Sequence, residues 1–338
     1  MAQSREAREC SDDRGVDRCA AEQHRSVLEL YGMEPIQSAV GPGRQVRRVF
    51  YVDGYGTDLL SISFERRPER DPEAIVRFPR AQGAEPRPAM TAQVPEAVWR
   101  EVVGASRNFE RELVAPPVNN LEICLHSWVF TVEAADPPRG QAPGEARRKV
   151  ADACGDGLAE RFAQLVYQRT LPLFPHCAAL DPERYRNGAT QLVACQALRG
   201  DRLAAAGAMN AAHVLTGNPQ PDETAPLRRA FAWQGTLDWA GERSGGDRGE
   251  AGAAWVARMT GAARTNFSVR AAHGLTAERV RMEGRLVRTS PGTGDAASTY
   301  EVAPVELIWV FGGTQEWEIE RAVVGPFARP APVAPGRR

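Results

Sequence analysis

Lysine is almost missing from this chain of 338 residues: Lys149 is the only one, so the other 41 of its 42 basic residues are arginine. A Schiff-base lysine or a phosphate-loop lysine has a single candidate position, and no glycine-rich loop precedes it. No stretch approaches the ~20 consecutive apolar residues that carry a helix across a bilayer. A dominant charge is missing too, because 42 basic and 43 acidic residues leave a net −1. That balance removes the electrostatic footprint of a nucleic-acid binder. The arginines are dispersed and interleaved with acids, which reads as compositional bias rather than as one guanidinium recognition site. With 43% hydrophobic and 25% charged residues, the composition is that of a folded globular protein and excludes wholesale disorder. Its length suggests two domains.

The six cysteines, at positions 10, 19, 124, 154, 177 and 195, form no C-x-x-C pair, which excludes zinc-ribbon and thioredoxin-like arrangements. Their even number permits disulfides. Cys10 and Cys19 lie in a polar segment that offers nothing to bury a thiol, so a local bridge between them is expected. Cys154, Cys177 and Cys195 fall in or between two expected helices, where a bridge would staple the pair. Cys124 opens an apolar strand and reads as a small buried hydrophobe. The cysteine usage favours an oxidising, periplasmic or secreted setting, with the cytoplasm as the alternative. The N-terminal MAQSREAREC has no apolar core of a signal peptide, so that setting requires a signal already removed.

Along the chain, residues 1–44 read as a polar arm or cap ending at Gly41-Pro42-Gly43. Val46–Val52 and Leu59–Glu65 flank the turn Asp53-Gly54-Tyr55-Gly56 and predict a hairpin. The alternation of Leu60, Ile62 and Phe64 with Ser61, Ser63 and Glu65 predicts a half-buried strand. A further strand at Ala74–Phe78, a helix over Pro95–Leu113 and a central strand in Leu121–Ala134 follow. Arg147–Leu171 and Asp181–Gly200 read as helices, with Asp181 and Asp201 as N-caps. The last third reads as three helices, over Asp201–Leu215, Ala225–Ala240 and Ala251–Ala263, and then four strands. These are Asn266–Ala271, Glu278–Thr289, Thr299–Phe311 and Gln315–Val324. The last two form a hairpin across Gly312-Gly313, ahead of a proline-rich tail at 329–338. Strands and helices without regular β-α-β alternation define an α+β class.

The strand segments VRMEGRLV and VELIWVF, the Gly-Gly turn and EWEIERAVVGPF resemble the NTF2-like (SnoaL-like) superfamily. The matching residues are Trp309, Val310, Gly312, Gly313, Trp317 and Ile319. The resemblance covers about residues 201–327 and implies a cone in which helices pack on a bent sheet and leave a pocket at its open end. The expected organisation is an N-terminal sheet-plus-helices domain at 45–199 followed by an NTF2-like domain at 200–328. Because this superfamily hosts isomerases, dehydratases and non-catalytic binding modules, the fold does not select a function.

The candidate site residues are few. Asp238, between Leu237 and Trp239, is placed as a carboxylate among indoles, where a raised pKa would suit proton abstraction. His273 sits at a strand-to-turn junction as a second candidate base. Trp233, Trp239, Trp309 and Tyr300 are candidates for the pocket lining. His126 and Ser127 fall on opposite faces of one strand and cannot pair by adjacency, and His176-Cys177 adjacency rarely gives nucleophile–base geometry. Gly54-Tyr55-Gly56 lacks the third glycine and the following helix of a nucleotide loop. No metal or cofactor set emerges. The expected function is a non-catalytic binding or assembly module for a protein partner or a small apolar ligand, either alone or as a homo-oligomer. The alternatives are an isomerase- or dehydratase-type enzyme and a small-molecule carrier.

Overall fold

The computed structural model describes residues 18–54, 56–80, 87–111, 128–138, 140–152, 158–216, 224–246, 249–259, 264–290 and 299–329. They form two compact units, one from the described residues up to Phe174 with Gly188–Val193, the other from Pro175–Asn187 with the described residues from Ala194 onward. The class is α+β, as the mixture of elements predicts.

The first unit is built on a six-stranded antiparallel sheet in the order β4-β3-β2-β1-β5-β6. Its strands are β1 (Gln45–Val52), β2 (Asp58–Arg66), β3 (Glu73–Arg77), β4 (Met90–Gln93), β5 (Val129–Asp136) and β6 (Glu145–Asp152). The Asp-Gly turn closes the β1–β2 hairpin as expected, with Gly56 N donating to Asp53 O at 3.0 Å. Because side chains alternate along a strand, β1 shows Val46, Arg48 and Phe50 to one face and Arg47, Val49 and Tyr51 to the other. On the first face, helix α1 (Arg18–Leu30) and the 3-10 turn Ile36–Ala39 supply cover. Leu28 and Tyr31 pack on Phe50, while Ile36 and Ala39 pack on Val46 and Ala135. On the second, helices α2 (Glu96–Arg111) and α3 (Leu158–Thr170) lie against the sheet. There Arg47 Nε donates to Ser106 Oγ at 2.6 Å and Tyr51 OH to Ala163 O at 2.7 Å.

Three expectations are corrected in this unit. The 1–44 segment is not a free polar arm throughout, since α1 and the 3-10 turn form a cover layer. With both faces covered, β2 is not half-buried: Ser61 and Ser63 are 0% exposed and Glu65 5%. The helix expected over Arg147–Leu171 is also divided. Its first part is strand β6, and α3 runs from Leu158 to Thr170.

The second unit carries a seven-stranded sheet in the order β7-β10-β11-β12-β13-β8-β9. Its long antiparallel centre is β10 (Arg264–Thr276), β11 (Arg279–Ser290), β12 (Thr299–Phe311) and β13 (Trp317–Val324), with β7 (Leu198–Gly200), β8 (Phe231–Trp239) and β9 (Glu242–Gly245) at its flanks. One face buries Val280, Met282, Leu286, Val305, Leu307, Trp309 and Ile319. The other is a ladder of Arg–Glu pairs, with Arg281–Glu306 at 2.7 Å and Arg279–Glu320 at 2.6 Å. The remaining helices are the short α4 (Pro175–Ala178), α5 (Gly188–Cys195), α6 (Arg202–Ala212), α7 (Thr224–Arg229) and α8 (Glu250–Met259). Asp201 caps α6, its Oδ1 accepting from Ala204 N at 3.0 Å. Asp181 caps only a 3-10 turn at Pro182–Arg184, so no continuous helix spans Asp181–Gly200.

The aromatic helix expected over Ala225–Ala240 is the largest error. Helix α7 stops at Arg229 and the rest is strand β8, pairing in parallel with β13. Phe231, Trp233, Leu237 and Trp239 are all odd-numbered, and that period of two is a strand's.

Candidate ligand-binding site

Helix α6, RLAAAGAMNAA, is nearly all small residues, and Ala204, Ala205, Ala206, Ala208 and Ala212 are buried. Small side chains let a helix lie close to a sheet. A Cβ on Gly207 would collide with Trp317 Nε1, so the indole rests directly on the helix backbone. Where α6 gives way to the 3-10 turn His213–Leu215 and then to α7, a cavity of about 390 Å³ opens. Its walls are Ala211, Val214, Pro226 and Ala230 from the helical side and Trp309 and Trp317 from the β12–β13 end, with Arg229 and Glu316 as its charged members. Both charged residues are exposed.

Trp309 is 0% exposed, and its indole Nε1 is buried with no hydrogen-bond partner. Buried polar groups are nearly always satisfied, and an unpaired donor costs about 1–3 kcal/mol. A buried donor left unpaired on a cavity-lining residue is what a ligand acceptor would satisfy.

The other candidates lie elsewhere. Asp238 is partly exposed on β8, and its Oδ1 accepts from Gly241 N at 3.0 Å, which makes it a turn-stabilising carboxylate outside the cavity lining. His273 is exposed on β10, opposite Arg281 of β11 and Arg199 of β7, and faces no cavity carboxylate. Trp233 is 67% exposed because the register shift between Ile319 and Arg321 irregularises its strand. A Cβ on Gly235 there would stand 2.9 Å from both Ala232 O and Ile319 O, closing the backbone too tightly for any side chain. Trp239 is buried but packs edge-on to Trp255 at 5.3 Å and near Phe327 at 5.9 Å, outside the lining. Tyr300 is 52% exposed. Of the four expected lining residues, Trp309 alone lines this cavity.

Cys177 and Cys195 form a disulfide with a Cα–Cα distance of 5.1 Å. Cys10, Cys124, His126, Ser127 and Cys154 lie outside the described residues, and Cys19 falls in α1 where its side chain is not described. Thus the Cys10–Cys19 expectation and any role for Cys154 fall outside them too. Among the described residues the one His/Cys grouping with ligand atoms close together is His176, Cys177 and Cys195. Its two sulfurs are joined, so no thiolate is there to bind a metal. Burial, and then the Arg202 charge, hold the His176 pKa below its usual value, and Arg202 Nη1 contacts His176 Nε2 at 2.9 Å. A neutral His176 accepts that bond.

A fold of helices on one face of a long antiparallel sheet, with a cavity under the hairpin end, is the architecture the sequence resemblance implies. Part of the chain is similar to solved NTF2-like structures. An NTF2-like protein of unknown function from Shewanella oneidensis is 10% identical over 31% of this chain and 85% of its own, with a TM-score of 0.25. A ketosteroid isomerase-like protein from Erwinia carotovora atroseptica is 12% identical over 38% of this chain and 92% of its own, at 0.28. A hexachlorocyclohexane dehydrochlorinase is 14% identical over 40% of this chain and 97% of its own, also at 0.28. No protein-family model matches the sequence. No curated protein matches it either.

Proposed function

We propose that the second unit is a non-catalytic binding module for a small, largely apolar molecule carrying one hydrogen-bond acceptor. The observation that carries this reading is Trp309, a fully buried cavity-lining residue whose indole N–H has no partner. Aromatic and aliphatic walls with few polar groups are the usual make-up of a small-molecule site. Asp238 and His273, the candidate bases, lie outside the lining, which weighs against an enzyme built on either residue. An isomerase-like reaction in this cavity would have to use Glu316, the one carboxylate among its described lining residues. An extracytoplasmic setting fits the Cys177–Cys195 bridge.

The test is native mass spectrometry of the purified chain together with titration by 1-anilinonaphthalene-8-sulfonate, an apolar fluorescent probe. Ala211→Phe fills the cavity from α6 while leaving every other wall in place. The expected result is a saturable fluorescence rise in the wild type that Ala211→Phe reduces at least tenfold in affinity. Equal binding by both proteins overturns the reading. Turnover of any ligand found bound, abolished by Glu316→Gln, would replace it with the enzyme.

A further inference from the structure

The covered face of β2 in the first unit holds an unusual set of groups. Ser63 sits opposite Arg48 of β1, and Ser61 of the same face sits opposite Arg77 of β3. Arg48 therefore stands directly across from Ser63, whose partner on β3 is Ile75, and Arg77 lies on the same face one cross-strand pair further along, diagonal to Ser63. Tyr31, which packs on Phe50 at 5.4 Å between ring centroids, closes the face from the end of α1, and Ser61 Oγ reaches Met33 Sδ at 3.3 Å.

The two glutamates on this face are already engaged. Glu133 takes Arg48 Nη1 at 3.0 Å and His24 Nε2 at 2.8 Å. Glu65 takes Arg44 Nη2 at 3.3 Å and Arg67 Nη2 at 3.5 Å. Among the described residues of this face, Arg48 Nε, Arg77 Nη1, Arg44 Nε, Ser63 Oγ and Tyr31 OH are left buried without a hydrogen-bond partner, against one unpaired carboxylate oxygen, Asp58 Oδ1. Ser63 is 0% and Arg48 4% exposed. The guanidiniums of Arg44, Arg48, Arg67 and Arg77 outnumber the carboxylates of Glu65, Glu133 and Asp58. Burial lowers the Arg77 pKa most; Glu65 raises it, and Arg48 and Arg67 push it down again.

A desolvated guanidinium N–H with no acceptor is among the costliest unpaired groups, and an oxyanion is its natural complement. We propose that this face of the first unit binds a small oxyanion, a phosphate or a carboxylate, between Arg77 Nη1, Arg48 Nε and Ser63 Oγ. Tyr31 OH is the fourth donor available to it. The site meets solvent beside Arg67 and Arg44, whose side chains are 49% and 31% exposed. It is independent of the cavity at Trp309, so the two readings stand or fall separately.

The test is thermal unfolding and isothermal titration of the full chain at fixed ionic strength. Inorganic phosphate and acetate are the two probes, and sodium chloride is the reference. A saturable rise in Tm with phosphate or with acetate is expected, and whichever acts names the oxyanion. Arg77→Met removes the unpaired charge: without anion it unfolds at a Tm equal to or above wild type, and the saturable rise disappears. Ser63→Ala, a smaller change, weakens binding on the order of tenfold, the value of one hydrogen bond to a charged group. Arg100→Met, on the exposed face of α2, leaves binding unchanged. Three outcomes overturn the proposal: no saturable rise with either probe, a rise that is linear and shared by every variant, or full binding by both Arg77→Met and Ser63→Ala.

Discussion

Asp136 accepts two hydrogen bonds from Arg47 Nη2, at 2.8 and 3.1 Å, while Arg147 Nη2 reaches its other side at 2.5 Å. Arg47 is 1% exposed, and it also donates Nη1 to Val46 O and Ala135 O and Nε to Ser106 Oγ. This buried arginine ties β1, β5 and α2 together, and the Asp136 carboxylate is an ion-pair partner of its charge.

Asp136 therefore sets an acid limit on the first unit. Burial pushes its pKa up, but the bonds and charge of Arg47, with Gln45 and Arg147, bring it below the ordinary carboxylate value. A folded pKa below the unfolded one adds stability that is complete above about pH 4 and disappears as pH falls through the folded value. Asp136→Asn is expected to cost about 3 kcal/mol at pH 7, because it takes a carboxylate partner away from the buried Arg47 charge. Denaturant curves across pH check this. The gap between wild type and variant narrows below pH 4, and a gap independent of pH would remove the carboxylate from the account.

The disulfide gives a second prediction. Cys177 and Cys195 are separated by 18 residues, and closing a loop of that size restricts the unfolded chain by about 3 kcal/mol. The double change Cys177→Ser with Cys195→Ser is expected to lower the denaturation midpoint of the second unit, which holds both cysteines. An unaltered midpoint would show that the bridge is not a staple.

Gly207 supplies a third. Exchange to alanine favours a helix by about 1 kcal/mol in isolation. Here the added Cβ strikes Trp317 Nε1, so Gly207→Ala is expected to displace the indole from the cavity wall. Tryptophan emission shifts, probe binding weakens, and the helical gain does not appear as stability. A variant that gains that stability with unchanged emission would mean that Trp317 does not rest on α6.

Much of this was readable before the structure, and the failures have physical causes. The Asp53-Gly54 hairpin and strands β11, β12 and β13 follow from turn chemistry and a clean period of two. Strand β8 was legible by the same rule, but its density of aromatics and flanking alanines imitates an amphipathic helix. Burial of Ser61, Ser63 and Glu65 could not be read from β2, because their cover comes from a separate segment, 18–39, whose docking on that face leaves no mark in the strand's own alternation. The cavity was legible only at Trp309. Its other walls, from Ala211 to Trp317, are ordinary residues brought together by four separate elements.

Asp238 provides the sharpest separation between binding and catalysis in the second unit. Its carboxylate accepts one backbone bond from Gly241 in the β8–β9 turn, where Ala240 already holds a φ of 54°. Asparagine keeps an oxygen in that position, so Asp238→Asn is expected to alter stability by no more than about 0.5 kcal/mol, as at most surface sites. Affinity for the apolar probe stays at the wild-type value, whereas Ala211→Phe removes it. If Asp238→Asn instead weakened probe binding as far as the cavity-filling change does, the ligand would have to sit on β8 rather than beneath Trp309. The carboxylate would then recover the role that its place among tryptophans in the sequence first suggested.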